Sequence, residues 1–190
     1  MRRRRVLQTV PVAVASVSGC LSSARSPEQT LERRMIALTD SRADPPDGIE
    51  VSASMVSSTI NEMSTASVRT VLRNTETGNS SVFTGPNPPF STEESQNGGW
   101  MLVHPDTGLE KKSKSCWEPS SDTRLGNSDL LYEHELESGQ TIEQTYELWG
   151  SPYDDRCMPA GEYTFSNEYQ EVENQSEFEW TLTFAIDETE

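Results

Sequence analysis

Glu177-Phe178-Glu179-Trp180-Thr181-Leu182-Thr183-Phe184-Ala185-Ile186-Asp187 decides the fold class. In an extended chain Phe178, Trp180, Leu182, Phe184 and Ile186 share one side, while Glu177, Glu179, Thr181, Thr183 and Asp187 share the other. A period of two with one apolar and one polar face describes a strand that covers a core and faces water. Working back along the chain, the same reading predicts strands at Ile49–Met55, Ala66–Arg73, Ser81–Phe83, Trp100–Val103, Leu130–Leu136, Ile142–Trp149 and Tyr163–Tyr169. Turn chemistry separates them at Thr75–Asn79, His104–Gly108 and Ser138-Gly139. Gly85-Pro86-Asn87-Pro88-Pro89-Phe90 lacks too many N–H donors for an interior strand. Roughly eight short, evenly spaced strands predict an all-β, antiparallel β-sandwich of about 7–9 strands. All aromatic residues fall between Phe83 and Phe184, which places most of the expected core in the second half of the chain.

The first 48 residues read differently. Four arginines, Arg2 to Arg5, precede the apolar run Val6 to Gly19, and no acid occurs before Glu28. A basic head, a short apolar middle and small residues before a break describe a secretory signal over residues 1–19. Pro11 and five valines disfavour a buried helix there. Residues 20–48 are expected to be a spacer, and 49–190 the sandwich domain. Ser26-Pro27-Glu28-Gln29 has helix-start chemistry, with Leu31, Met35 and Leu38 on one face, so the spacer is expected to hold a short helix. A first strand of the domain is the other reading of this stretch.

Arg3-Arg4-Arg5-Val6-Leu7 resembles a twin-arginine export signal, and Val17-Ser18-Gly19-Cys20 resembles a lipobox. These resemblances imply that Cys20 is lipidated and becomes the mature N-terminus, a membrane-lipid anchor on the external face of the cell membrane. Two acyl chains, as lipoproteins carry, give stable attachment. No stretch reaches the roughly 18 consecutive apolar residues of a spanning helix.

The 190 residues hold 31 acidic and 15 basic side chains, a formal charge of −16. Loss of residues 1–19 removes four arginines and no acid, leaving a mature charge of −20 with three lysines, Lys111, Lys112 and Lys114. Such a surface repels a phosphate backbone, which excludes nucleic acid as a partner. An acidic, lysine-poor surface behind an exported lipoprotein signal looks like a haloarchaeal protein.

With Cys20 assigned to the lipobox, Cys116 and Cys157 remain as an even pair and are expected to form a disulfide outside the cytoplasm. Closing that loop contributes about 4 kcal/mol by the chain-entropy argument. Zinc is the competing use, but there is no Cys-x-x-Cys and only two histidines. Asn79-Ser80-Ser81 and Asn174-Gln175-Ser176 are glycosylation sequons, so Asn79 and Asn174 are candidate glycan sites.

Catalytic chemistry is hard to assemble. His134 shares a strand face with Leu130, Tyr132 and Leu136, and its flanking glutamates point the other way, the pattern of a half-buried core histidine. His104 precedes a proline in a turn, with no visible partner. No Gly-x-Ser-x-Gly elbow, His-Glu-x-x-His pair or phosphate loop occurs. Asp154-Asp155 falls short of the ligand set calcium requires and reads as solvated loop charge. No catalytic residue, metal or cofactor is expected. Recognition by the Pro-rich segment 85–90 or the loop around Cys157 is the functional reading left, with an unknown protein or envelope ligand as partner; the other reading is that the prolines only block an exposed edge or shape a turn.

Gly161-Glu162-Tyr163-Thr164-Phe165 resembles the tyrosine corner of immunoglobulin-like domains, which implies that the Tyr163 hydroxyl ties the corner back to the backbone. Phe165 stands where that motif has cysteine. The stretch from Leu136-Glu137-Ser138-Gly139-Gln140 through Trp149 to Pro159-Ala160-Gly161-Glu162-Tyr163 is similar to the intracellular proteinase-inhibitor family of bacilli. Binding in the cell envelope is therefore the expected function, with proteinase inhibition as the alternative.

Overall fold

The computed structural model of the chain describes residues 34–114, 116–120, 130–172 and 175–188. Among them are thirteen strands and one 3-10 turn, Pro105–Thr107. The strands are β1 (Arg34–Ala43), β2 (Ile49–Ser57), β3 (Thr59–Ile60), β4 (Ser67–Asn74), β5 (Ser80–Thr84), β6 (Glu93–Glu94) and β7 (Trp100–Val103). They continue with β8 (Lys111–Ser113), β9 (Cys116–Pro119), β10 (Tyr132–Leu136), β11 (Thr141–Gly150), β12 (Gly161–Glu171) and β13 (Glu177–Glu188). One antiparallel sheet has the order β10-β5-β12-β13-β1-β3, a second has β2-β4-β11-β7-β6, and β8-β9 is a separate hairpin. The fold is an antiparallel β-sandwich. It has more strands than the 7–9 expected, because several are only two to four residues long.

The alternation in β13 works as its sequence dictates: Trp180, Leu182 and Phe184 are fully buried while Glu177 and Glu179 are exposed. Phe165 and Tyr169 of β12, Val82 of β5 and Leu136 of β10 extend this inner face. Val68, Leu72, Tyr146, Leu148, Trp100 and Leu102 oppose it from the second sheet. Each fully buried aliphatic or aromatic side chain contributes about 1.5–3 kcal/mol of transfer free energy.

The short helix expected around Met35 and Leu38 is not formed. Arg34–Ala43 is instead a strand, paired from Arg34↔Glu188 to Ala43↔Trp180 with a bulge at Thr39. Ile36 is buried, so the stretch assigned to a spacer carries part of the core. The physical reason is the unpaired side of β13, whose N–H and C=O groups need partners when its apolar face is buried. Ile49, Ile60 and Ala66 add further core residues ahead of the first aromatic.

Trp100-Met101-Leu102-Val103 is buried throughout, because both faces of β7 are covered. Trp100 and Leu102 join the main core. Met101 and Val103 form a second cluster with Trp149, capped by Leu109 and Trp117 from the β8–β9 region. Trp117 meets Trp149 edge-on at 5.3 Å, Lys111 lies 4.3 Å over the Trp117 ring, and the Trp117 indole donates to Asn61 O at 2.7 Å. Cys116 and Cys157 are disulfide-bonded with Cα atoms 5.9 Å apart, fastening this hairpin to the loop before β12.

Candidate binding cleft

The Pro-rich segment, which the sequence leaves open between a recognition edge and a turn, is fastened into the sandwich. Pro89 and Phe90 are buried, and the Pro88–Pro89 peptide is cis. Phe90 lies against Trp180 at 5.1 Å and Tyr146 at 6.2 Å. Its N–H donates to the Tyr146 hydroxyl at 2.8 Å, and that hydroxyl donates to Phe90 O. Pro89 O accepts from the Tyr169 hydroxyl and from the Asn167 amide. Polar side chains inside the sandwich thus meet the backbone needs of a segment poor in N–H groups. Beside this knot lies Glu93, whose carboxyl burial pushes up to about 8. Its Oε1 is buried without a hydrogen-bond partner among the described residues.

Both histidines are held by hydrogen bonds. His134 is half-buried as expected, with Nε2 3.1 Å from Gly85 O. His104, expected without a partner, accepts from Asp106 N at Nδ1 (3.2 Å), donates its backbone N–H to Thr92 Oγ1 (3.0 Å) and stacks edge-on against Tyr146.

The loop around Cys157 does form an open concavity. Residues 95–99 leave β6 in a tight turn that ends in Gly98 and Gly99, both at positive φ (72° and 83°). A Cβ on Gly99 would lie 3.1 Å from Pro159 and from Tyr163, so only glycine suits this approach. Ser95 Oγ donates to Gly98 O, Gln96 N to Thr164 O and Asn97 Nδ2 to Glu162 O, which seals the turn onto β12. Facing it, Ser151 donates its N–H to Gly99 O and its hydroxyl to Glu94. The Trp100 indole holds Pro159 O at 2.8 Å. Tyr163 donates to Ala160 O at 3.3 Å, the backbone tie that the tyrosine-corner resemblance implies.

Between these two loops opens a cleft of about 560 Å³ lined by Glu94, Gly98, Gly99, Tyr153 and Asp154 to Arg156. Tyr153 is 70% exposed. Arg156 bonds both Asp154 oxygens, through its own N–H to Oδ1 at 2.8 Å and its guanidinium to Oδ2 at 3.3 Å. These bonds hold the Asp154 carboxyl below its ordinary range. Asp154 is therefore committed to Arg156 within its own loop instead of freely solvated as expected, while Asp155 is exposed. The cleft offers an aromatic ring, one guanidinium and an acidic rim, chemistry for recognition by contact. Sequence reasoning named Asp154, Asp155 and the Cys157 loop but missed Glu94, Gly98, Gly99 and Tyr153; the Gly98-Gly99 pair was the available signal.

Among the other expected site residues, Asn79 is exposed and donates to Glu135 Oε1 at 2.8 Å. Cys20 and Asn174 lie outside the described residues. Cys116, Cys157 and Glu118 cluster within 4.8 Å, but the two sulfurs are bonded to each other and Glu118 accepts from Lys112 at 2.8 Å. Among the described residues no helix is long and apolar enough to cross a membrane. No protein-family model, curated protein or solved structure matches the chain.

Proposed function

We propose that this protein is a lipid-anchored, extracytoplasmic β-sandwich, a binding module of the cell envelope with no catalytic role of its own. The observation that carries this reading is the braced loop around Tyr153. It is clasped at Cys157 by the disulfide, at Ser151 by the 95–99 turn and at Asp154 by Arg156. A loop already ordered before contact gives up less conformational freedom on binding. The anchor rests on the resemblance of residues 3–20 to an exported lipoprotein signal, and the salt-adapted habitat on the acidic composition.

A photo-crosslinking residue placed at position 153 on intact cells in multimolar salt tests the reading. It should trap a defined envelope component that the same residue at the exposed β2 position Ser52 does not trap. Equal labelling from both positions would remove the cleft as the contact. For the anchor, Cys20→Ala should release the chain from membranes; continued membrane attachment overturns it.

Proteinase inhibition is the second reading, favoured by the same loop, because Tyr153 and Arg156 project from a backbone tied on both sides. Inhibition of an extracellular protease that Tyr153→Ala or Arg156→Ala relieves would establish it, and no inhibition across a panel would retire it.

A further inference from the structure

The outer face of the six-stranded sheet is chemically uneven. Toward β1 it is charge-balanced: Ala37 faces Ala185, and Asp40 and Arg42, opposite Thr183 and Thr181, form an ion pair at 3.0 Å. Toward β10 it turns acidic around one aromatic ring. The register places Glu133, Phe83, Gln170 and Glu177 in a row across four strands, and Glu168 directly opposite Glu179 in the neighbouring row. Like charges facing each other across two strands destabilise a sheet. Among the described residues none of these glutamates is in an ion pair.

This acidic rim encloses a groove of about 310 Å³ in which Phe83 and Leu131 are the accessible apolar lining beside Glu168, Gln170, Glu177 and Glu179, with no lysine or arginine. Leu131 is 61% and Tyr132 43% exposed where the groove meets β10, the end strand of the sheet among the described residues. An end strand presents backbone N–H and C=O groups to an incoming chain. A strand laid along it would send alternate side chains to the groove side of the sheet.

We propose that the groove and the β10 edge form a docking surface for an extended, lysine- or arginine-bearing segment of a partner protein. An apolar side chain of that segment sits over Phe83 and Leu131, and its cationic neighbours meet Glu133, Glu168 and Glu179. Charge complementarity selects this occupant: a second copy of the same face would bring four more glutamates against Glu133, Glu168, Glu177 and Glu179. The surface uses β5, β10, β12 and β13, none of which contributes a lining residue to the cleft at Tyr153. It therefore goes beyond the reading above and is tested separately from it.

The probe is a fluorescent synthetic peptide alternating lysine with valine and phenylalanine, titrated by anisotropy into the full chain in salt that keeps it folded. Glu168→Gln with Glu179→Gln should weaken binding about tenfold, the sum of two modest carboxylate contacts. Leu131→Ser should weaken it several-fold, and a lysine-acetylated peptide should not bind. Asp47→Asn with Glu50→Gln removes the same charge from another exposed region and should change affinity less than about twofold. Equal loss in both double variants would mean unspecific attraction to an acidic protein and overturn the proposal. No binding, or no change with the groove variants, overturns it as well. So does sedimentation that shows a dimer which the peptide dissociates, since the occupant would then be a second copy.

Discussion

Phe90 and Glu93 show how single residues set the interior. Phe90 comes from a segment whose prolines cannot donate, yet it is fully buried, because Tyr146, Tyr169 and Asn167 answer its backbone. Tyr146→Phe leaves the Phe90 N–H without its acceptor and should cost about 1–3 kcal/mol in urea unfolding. Tyr169→Phe should cost less, since Pro89 O keeps the Asn167 amide. Glu93 makes a prediction in pH. Its ordinary value is near 4.5, and burial raises it to about 8 in the folded chain. Between those values the unfolded chain has ionised while the folded one still holds the proton. Stability contributed by this group is therefore complete below about pH 4.5, falls as pH rises and is level above about pH 8. Glu93→Gln should remove that decline. The variant-minus-parent difference in urea midpoint should grow from pH 5 to pH 9, and a constant difference would rule out Glu93 as its source. Little of this knot was legible in the sequence. The composition of residues 85–90 says only that they form no ordinary strand, and the tyrosines that receive them are about 60 to 80 positions away.

Among the elements, those with a clean period of two were legible and those without were not. β4, β11, β12 and β13 alternate between buried and exposed over most of their length, and the sequence reading found each within a few residues. β1 was misread because Leu31, Met35 and Leu38 also fit a helical face, and Thr39 interrupts the strand period with a bulge. Pairing with β13 overrides that local preference, an influence no window of neighbours contains. The short strands β3, β6, β8 and β9 are too brief to show any period. Two substitutions test these elements. Ile36→Ala should cost about 2–4 kcal/mol as a core truncation, whereas the same change in a free spacer would cost nothing measurable. Cys116→Ser with Cys157→Ser should cost about 2–4 kcal/mol. It should also alter tryptophan fluorescence, because Trp117 of the hairpin that the disulfide holds packs against Trp149. Unchanged fluorescence would mean that the hairpin stays seated without its clasp.

For the whole molecule the governing quantity is charge. Many of the described cations are already committed: Lys112 to Glu118, Arg156 to Asp154, Arg69 to Glu143, Arg42 to Asp40 and Lys111 to Trp117. Most carboxylates therefore face water and one another, and Glu168 opposite Glu179 is the most direct case. The candidate sites were only partly legible for the same reason. In a chain with 31 acids, sequence position cannot separate a carboxylate that rims a groove from one that merely solvates a face. Only the register that brings Glu168, Glu177 and Glu179 around Phe83 does so. At about 0.15 M salt the screening length is about 8 Å, longer than the spacing of facing side chains on paired strands. At about 1 M it shrinks to about 3 Å, and repulsion between neighbouring carboxylates is largely quenched. We therefore expect the sandwich to lose structure as salt falls below about 0.5 M, followed by far-ultraviolet circular dichroism and tryptophan fluorescence across a potassium chloride series. If repulsion is the cause, Glu133→Gln, Glu168→Gln, Glu177→Gln and Glu179→Gln combined should move the midpoint to lower salt, although no apolar contact has been added. Full structure in dilute buffer would remove the salt-adapted reading and leave an acidic sandwich whose packing alone outweighs its charge.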